Sequence, residues 1–183
     1  MTSKMRHHRI KKYAIHILAI PAIKPDLFDV PMSRCAIISC TDRENEYVYT
    51  FPASQRCIIP FADTEDADHP NAITADLAKL IIRFLQRLPD EVTDLFVCCS
   101  KGSSRSPAVA AAVLRMSGRS DKAVWENPFY VPNRLVYQVI CREFGLFAPD
   151  WCMDTLVALN LKCYREAVEH GNTRGYERWQ IIE

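Results

Sequence analysis

The sequence predicts an α/β fold, a single layer of mainly parallel β-sheet flanked by helices. Three observations carry that prediction. Four short runs rich in β-branched and aromatic residues read as strands: Tyr13-Ala-Ile-His-Ile-Leu-Ala-Ile20, Arg34-Cys-Ala-Ile-Ile-Ser39, Cys57-Ile-Ile-Pro-Phe61 and Leu95-Phe-Val-Cys98. Other stretches carry apolar residues at steps of three and four, the signature of a helix with one buried face. The two kinds of segment alternate along the chain, as they do where helices connect parallel strands.

Each element has its own local warrant. Residues 1–12, with Lys4-Met-Arg-His-His-Arg-Ile-Lys-Lys12, read as a basic flexible arm ahead of one domain over 13–183. The arm and the apolar run after it mimic a signal peptide, but His16 within the run and Pro21 behind it favour a strand. His7 and His8 have no spaced partners that would complete a metal site. A polar, hairpin-like connection through Asp42-Arg-Glu-Asn-Glu46 is expected between the second and third strands. Ile73, Leu77, Leu80, Ile81, Phe84, Leu85 and Leu88 describe one face of a helix. The alanine-rich stretch Pro107-Ala-Val-Ala-Ala-Ala-Val-Leu-Arg-Met116 reads as a second. Leu135, Val136, Val139, Ile140 and Phe144 mark a third, with Pro132 in its first turn. Cys152, Leu156, Leu159 and Cys163 mark a fourth, with Asp150 as N-cap. Gly118 and Gly171 read as helix stops.

Composition narrows the function classes. A chain of 183 residues, 49% hydrophobic and 25% charged, can bury a substantial core and is not a disordered composition. The net charge of +1 gives no overall argument for nucleic acid or an acidic surface. Eight cysteines show no disulfide framework in their spacing. Cys35, Cys40, Cys57, Cys141 and Cys163 read as small buried hydrophobes, reduced, in a cytoplasmic protein. No run is long enough to span a membrane.

The chemistry concentrates in Cys99-Ser-Lys-Gly-Ser-Ser-Arg105-Ser106, between a strand and a helix. A loop of small residues there points backbone N–H groups at one spot, and the helix N-terminus favours an anion at the same place. Those partial charges, with Arg105, stabilise Cys99 as thiolate. The guanidinium can grip two phosphate oxygens with its fork. Successive strand residues face opposite ways, so Cys98 is expected to point into the core and Cys99 into the pocket. Asp63, Glu65, Asp66 and Asp68 follow the third strand as candidate proton donors, with His69 beside them.

The spacing Cys-x5-Arg-Ser, with Gly102 three residues after the cysteine, resembles the signature of the protein tyrosine phosphatase superfamily in its compact dual-specificity form. The resemblance spans about 55–145. It implies that Cys99 is the nucleophile and that Ser100, Lys101, Gly102, Ser103, Ser104 and Arg105 hold the phosphate. It further implies that Asp63, in Phe61-Ala-Asp63-Thr, is the acid, and that Ser106 hydrogen-bonds the sulfur and eases its departure. Lys101 would add positive charge at the rim. The Pro132-Asn133 pair resembles the family's helix start behind the phosphate loop and supports the fold without a catalytic role. One position departs from the pattern: the family carries His before the nucleophile, where this chain has Cys98.

The implied activity is hydrolysis of phosphomonoesters, phosphotyrosine and also phosphoserine or phosphothreonine, through a phosphocysteine and without metal or cofactor. A phosphorylated protein is the expected partner. RNA 5′ ends and phosphoinositides are alternative substrates, with the basic arm as their one hint. A rhodanese- or arsenate-reductase-like enzyme and an inactive phosphate-binding module are alternatives of other classes. Oligomeric state is left open by the sequence.

Overall fold

The structure, a computed structural model, describes residues 10–23, 30–41, 46–171 and the backbone of 179–182. The segment 1–9 with His7 and His8, and residues 42–45 of the expected hairpin-like connection, lie outside the described residues. The elements in chain order are β1 (Ala14–Ala19), β2 (Cys35–Ser39), β3 (Arg56–Ile58), α1 (Ala75–Arg87), β4 (Asp94–Cys99), α2 (Arg105–Met116), α3 (Lys122–Trp125), α4 (Arg134–Glu143), α5 (Asp150–Glu169) and β5 (Trp179–Ile182). They build one sheet in the order β3-β2-β4-β1-β5. The first four strands are parallel, and β5 runs antiparallel on β1 at the edge. This is the α/β layer expected, with a C-terminal strand that no sequence signal announced.

Both faces of the sheet are covered, which is why its central strands read as continuous apolar runs. Alternation sorts their side chains. Ile15, Ile17, Ala36, Ile38, Leu95, Val97 and Cys99 face the helices, in a core that all five α-helices enter. Leu18, Cys35, Ile37, Phe96 and Cys98 face the other way, against Ile20, Ile23, Val48 and Phe51 from short 3-10 segments and their flanks. The sheet therefore carries its α-helices on one side only. α2 lies deepest, with Ala108 to Leu114 fully buried, and its alanines let it approach β4 closely.

Five local expectations are corrected. β2 and β3 pair in parallel, so their connection is a crossover containing 3-10 turns at Glu46–Thr50 and Ala53–Gln55, not a hairpin. β3 also stops at Ile58 instead of Phe61, because Pro60 has no N–H to continue the ladder. Pro132 lies ahead of α4 and not in its first turn; Asn133 is the N-cap, its side chain accepting from the Val136 amide at 3.0 Å. Asp150 is the first residue of α5 and Pro149 its N-cap, so the Asp150 carboxylate is free to pair with Arg134 at 3.0 Å. The arm also ends sooner than residue 12: Ile10 is buried and its amide bonds Met116, while Lys11 Nζ donates to the Asp90 and Val92 carbonyls. Gly118 and Gly171 do end helices, with φ of +75° and +68°. Among the described residues no helix is long and apolar enough to cross a membrane.

One buried polar side chain ties α5 to the rest. Asn160 Nδ2 sits 2.9–3.2 Å from the carbonyls of Trp125, Asn127 and Tyr130, the loop between α3 and α4. Asn160→Leu should lower stability by about 1–3 kcal/mol, because the buried carbonyls lose their donor. A urea midpoint unchanged from wild type would contradict this.

Candidate active site

β4 delivers Cys99 to the carboxyl edge of the sheet, where α/β folds hold their ligands. The chain then turns through residues 100–104 into α2. Gly102 makes that turn feasible. Its φ is +73°, and a Cβ there would lie 2.6 Å from the Ala19 nitrogen of β1, so both conformation and space demand glycine. The Gly102 amide points back at Cys99 Sγ, 3.2 Å away. Ser106 Oγ lies 3.2 Å from the same sulfur from the first turn of α2.

These contacts decide the state of the thiol. Burial by itself would push the Cys99 pKa up; hydrogen bonds from the Ser106 side chain and from the backbone at Ser106, Lys101 and Gly102 overcome it and hold Cys99 below the ordinary thiol value. Cys98, one residue earlier, faces the opposite core, donates toward the Ile38 carbonyl and is pushed up to about 12 by burial. Burial likewise pushes Cys57 and Cys141 up to about 12. Adjacent cysteines thus have opposite environments, as alternation along a strand requires.

Arg105 is the structural surprise. Its fork is already engaged: Nη1 donates to the Cys40 and Phe61 carbonyls at 2.8 and 2.6 Å, and Nη2 to Ser100 Oγ at 2.9 Å. Ser100 Oγ is in turn 3.1 Å from Thr41 Oγ1. Both bonds of Nη1 and one of Nη2 are thus made within the protein. Nε is buried without a hydrogen-bond partner, and Nη2 keeps a second N–H. Those two donors are the ones left for an anion.

Asp63 stands across from them. Its Oδ1 accepts from Ser104 Oγ at 2.7 Å and Asn133 Nδ2 at 3.0 Å, and its Oδ2 lies 4.0 Å from Arg105 Nε. The neighbouring carboxylates are turned elsewhere. Asp66 accepts from the Asp68 amide within its own loop, Glu65 accepts from the Arg134 amide, Asp68 is exposed, and His69 Nδ1 accepts from the Asn71 amide. Only Asp63 among these candidates touches the cysteine loop. Lys101 is exposed at the rim. Ser104 occupies the N-cap position of α2 but spends its hydroxyl on Asp63 and does not itself cap the helix. Ser103 is held through its carbonyl, which accepts from the Val131 amide at 2.7 Å.

Beside Arg105 a cavity of about 430 Å³ is lined by Pro60, Phe61, Ala62 and Asn71. A larger one, about 520 Å³, lies away from this chemistry, between β3 and α1. Sequence reasoning underrated Asn133, whose Nδ2 also donates to the Thr64 carbonyl at 3.1 Å; the Pro-Asn helix start was the visible signal. The anchors on Cys40, Phe61 and Thr41 had no signal, being backbone or long-range contacts. Among the described residues no cluster of three His, Cys, Asp or Glu side chains is arranged to hold a metal. No protein-family model matches the chain, and no curated protein matches it.

The thiol's environment is directly measurable. Ultraviolet thiolate absorbance, taken as wild type minus Cys99→Ser, should give a midpoint below the ordinary thiol value near 8.5. Ser106→Ala removes a hydrogen bond to the charged form, so its midpoint should move up. A midpoint unmoved in Ser106→Ala would show that the hydroxyl does not stabilise the thiolate.

Proposed function

We propose that this protein is a cysteine-dependent phosphatase that hydrolyses phosphomonoesters, with phosphotyrosine in proteins as its preferred substrate class and phosphoserine or phosphothreonine as further ones. The observation that carries the reading is a thiol held below its ordinary pKa at a helix N-terminus, on the same loop as a guanidinium whose buried Nε has no hydrogen-bond partner. A nucleophile and an anion clamp with spare donors suit phosphoryl transfer. Pro60 and Phe61 in the adjoining cavity offer an apolar wall of the kind an aryl leaving group needs.

The steps follow from these parts. The Cys99 thiolate attacks phosphorus in line with the ester oxygen, an S–P bond forms and the P–O bond to the leaving group breaks. The loop amides, Arg105 Nε–H and the second Nη2–H carry the charge on the non-bridging oxygens. Asp63 gives its proton to the departing oxygen. In the second step water attacks phosphorus and yields its proton to Asp63. The S–P bond breaks, inorganic phosphate leaves, and Ser106 steadies the returning thiolate.

Turnover of p-nitrophenyl phosphate and of a phosphotyrosine peptide tests the reading. Cys99→Ser should abolish both while still binding vanadate, and full activity in that variant would end the phosphocysteine mechanism. Asp63→Asn should lower kcat about a hundred- to ten-thousand-fold for phenyl esters with poor leaving groups, and much less for activated ones. If Asp66→Asn or Asp68→Asn shows that pattern and Asp63→Asn does not, the acid is misassigned. Arg105→Lys should lose turnover together with vanadate binding, since a point charge can neither span the three anchors nor present two edge donors.

A further inference from the structure

We propose that the groove along the outer edge of β3 binds an extended acidic segment of a partner protein, which joins the sheet beyond β3 and sets its carboxylates against Arg56, Arg83 and Arg87. The groove, about 520 Å³, is lined by those three arginines with Cys57, Ile58, Ile59, Leu80 and Phe84. No acidic residue lines it.

Three features converge on that ligand. The first is charge. Arg83 and Arg87 are exposed, stand four residues apart on α1, where like charges repel, and neither forms an ion pair among the described residues. By contrast Lys79, on the same helix, pairs with Asp76 and Glu143. Arg56 is held over the Tyr49 ring, 4.9 Å from its centroid, with Nη1 on the Tyr49 and Phe51 carbonyls, which leaves the rest of its fork for a carboxylate.

The second feature is the backbone. β3 is the last strand in the order, and among the described residues nothing pairs with its outer side. The Ile59 amide bonds inward to the Ser39 carbonyl, so by alternation the Ile58 N–H and C=O point outward. An extended peptide satisfies such an edge; a nucleic acid or a lipid headgroup does not. The third is the floor. Ile58 and Leu80 are 38% and 45% exposed beside half-buried Phe84, an apolar bed for alternate side chains of an added strand. Charge selects acidic character, the edge selects a peptide, and the floor selects apolar residues between the carboxylates. The proposal does not depend on the phosphatase reading, since the groove lies apart from Cys99.

The probe is a short fluorescein-labelled peptide of alternating Glu and Val, titrated against the full chain by anisotropy, with a Lys/Val peptide and a single-stranded oligonucleotide as controls. The Glu/Val peptide should bind, and the double variant Arg83→Gln/Arg87→Gln should weaken it about tenfold or more, roughly 1.4 kcal/mol by the affinity relation. Both substitutions are on the exposed face of α1 and should leave p-nitrophenyl phosphate turnover unchanged. Hydrogen exchange at the Ile58 amide should slow on peptide addition. No binding, equal affinity in the double variant, equal or tighter binding of the oligonucleotide, or unchanged exchange at Ile58 would each overturn the proposal. So would a dimer of the chain, formed without peptide and lost in the double variant, which would give the groove to a second copy.

Discussion

A buried guanidinium has to find acceptors in the protein, and at Arg105 that requirement organises the whole site. Its side chain is 12% exposed, so every donor that lacks a partner carries a desolvation cost. Nη1 meets the requirement on the carbonyls of Cys40, just past β2, and Phe61, at the start of the acidic loop; Nη2 meets it on Ser100. Two chain segments distant in sequence, together with the start of the cysteine loop, are thereby stapled to the first residue of α2. The edge of the guanidinium left over, Nε above all, is buried without a hydrogen-bond partner.

The thiol depends on the same arrangement from the other side. A cysteine this deeply buried would normally be a poor acid, as at Cys98 and Cys141, whose thiols burial pushes up. Cys99 escapes because the loop after it curls tightly enough to aim amides and the Ser106 hydroxyl at the sulfur. That curl needs Gly102 pressed against the backbone of β1 at Leu18 and Ala19. The position of β1, paired along β4, is thus part of the chemistry even though no side chain of β1 enters it.

Support then spreads outward in layers. Asn133 caps α4 with its Oδ1 and holds Asp63 and Thr64 with its Nδ2, so one side chain orients a helix and the Asp63 carboxylate together. The loop before it is clamped by Asn160 of α5 and donates through Val131 to Ser103 of the cysteine loop. Such buried polar links are costly to break singly, which gives the site a rigid frame. On the far side of α1, Arg83 and Arg87, which meet no carboxylate among the described residues, stand alongside an edge strand and are unexplained by folding alone.

Local rules were enough to read the class of fold, the span of each long helix and the cysteine loop. Periodicity, glycine stops and the Cys99-to-Arg105 spacing are properties of neighbouring residues, and neighbours are what a sequence displays. The same rules placed Cys98 and Cys99 on opposite faces, because alternation along a strand needs no partner to operate. They failed where the answer lay across the sheet. The parallel pairing of β2 with β3, the β5 edge strand and the exact helix starts at Asn133 and Asp150 depend on contacts between distant segments. So does the distinction between Asp63 and its acidic neighbours, since all four are plausible on a line of text and only one meets Ser104, Asn133 and Arg105 in space. Sequence by itself determined which residue types are available for the chemistry; tertiary structure decided which of them meet, because a hydrogen bond or a burial cost depends on distance through space and not along the chain.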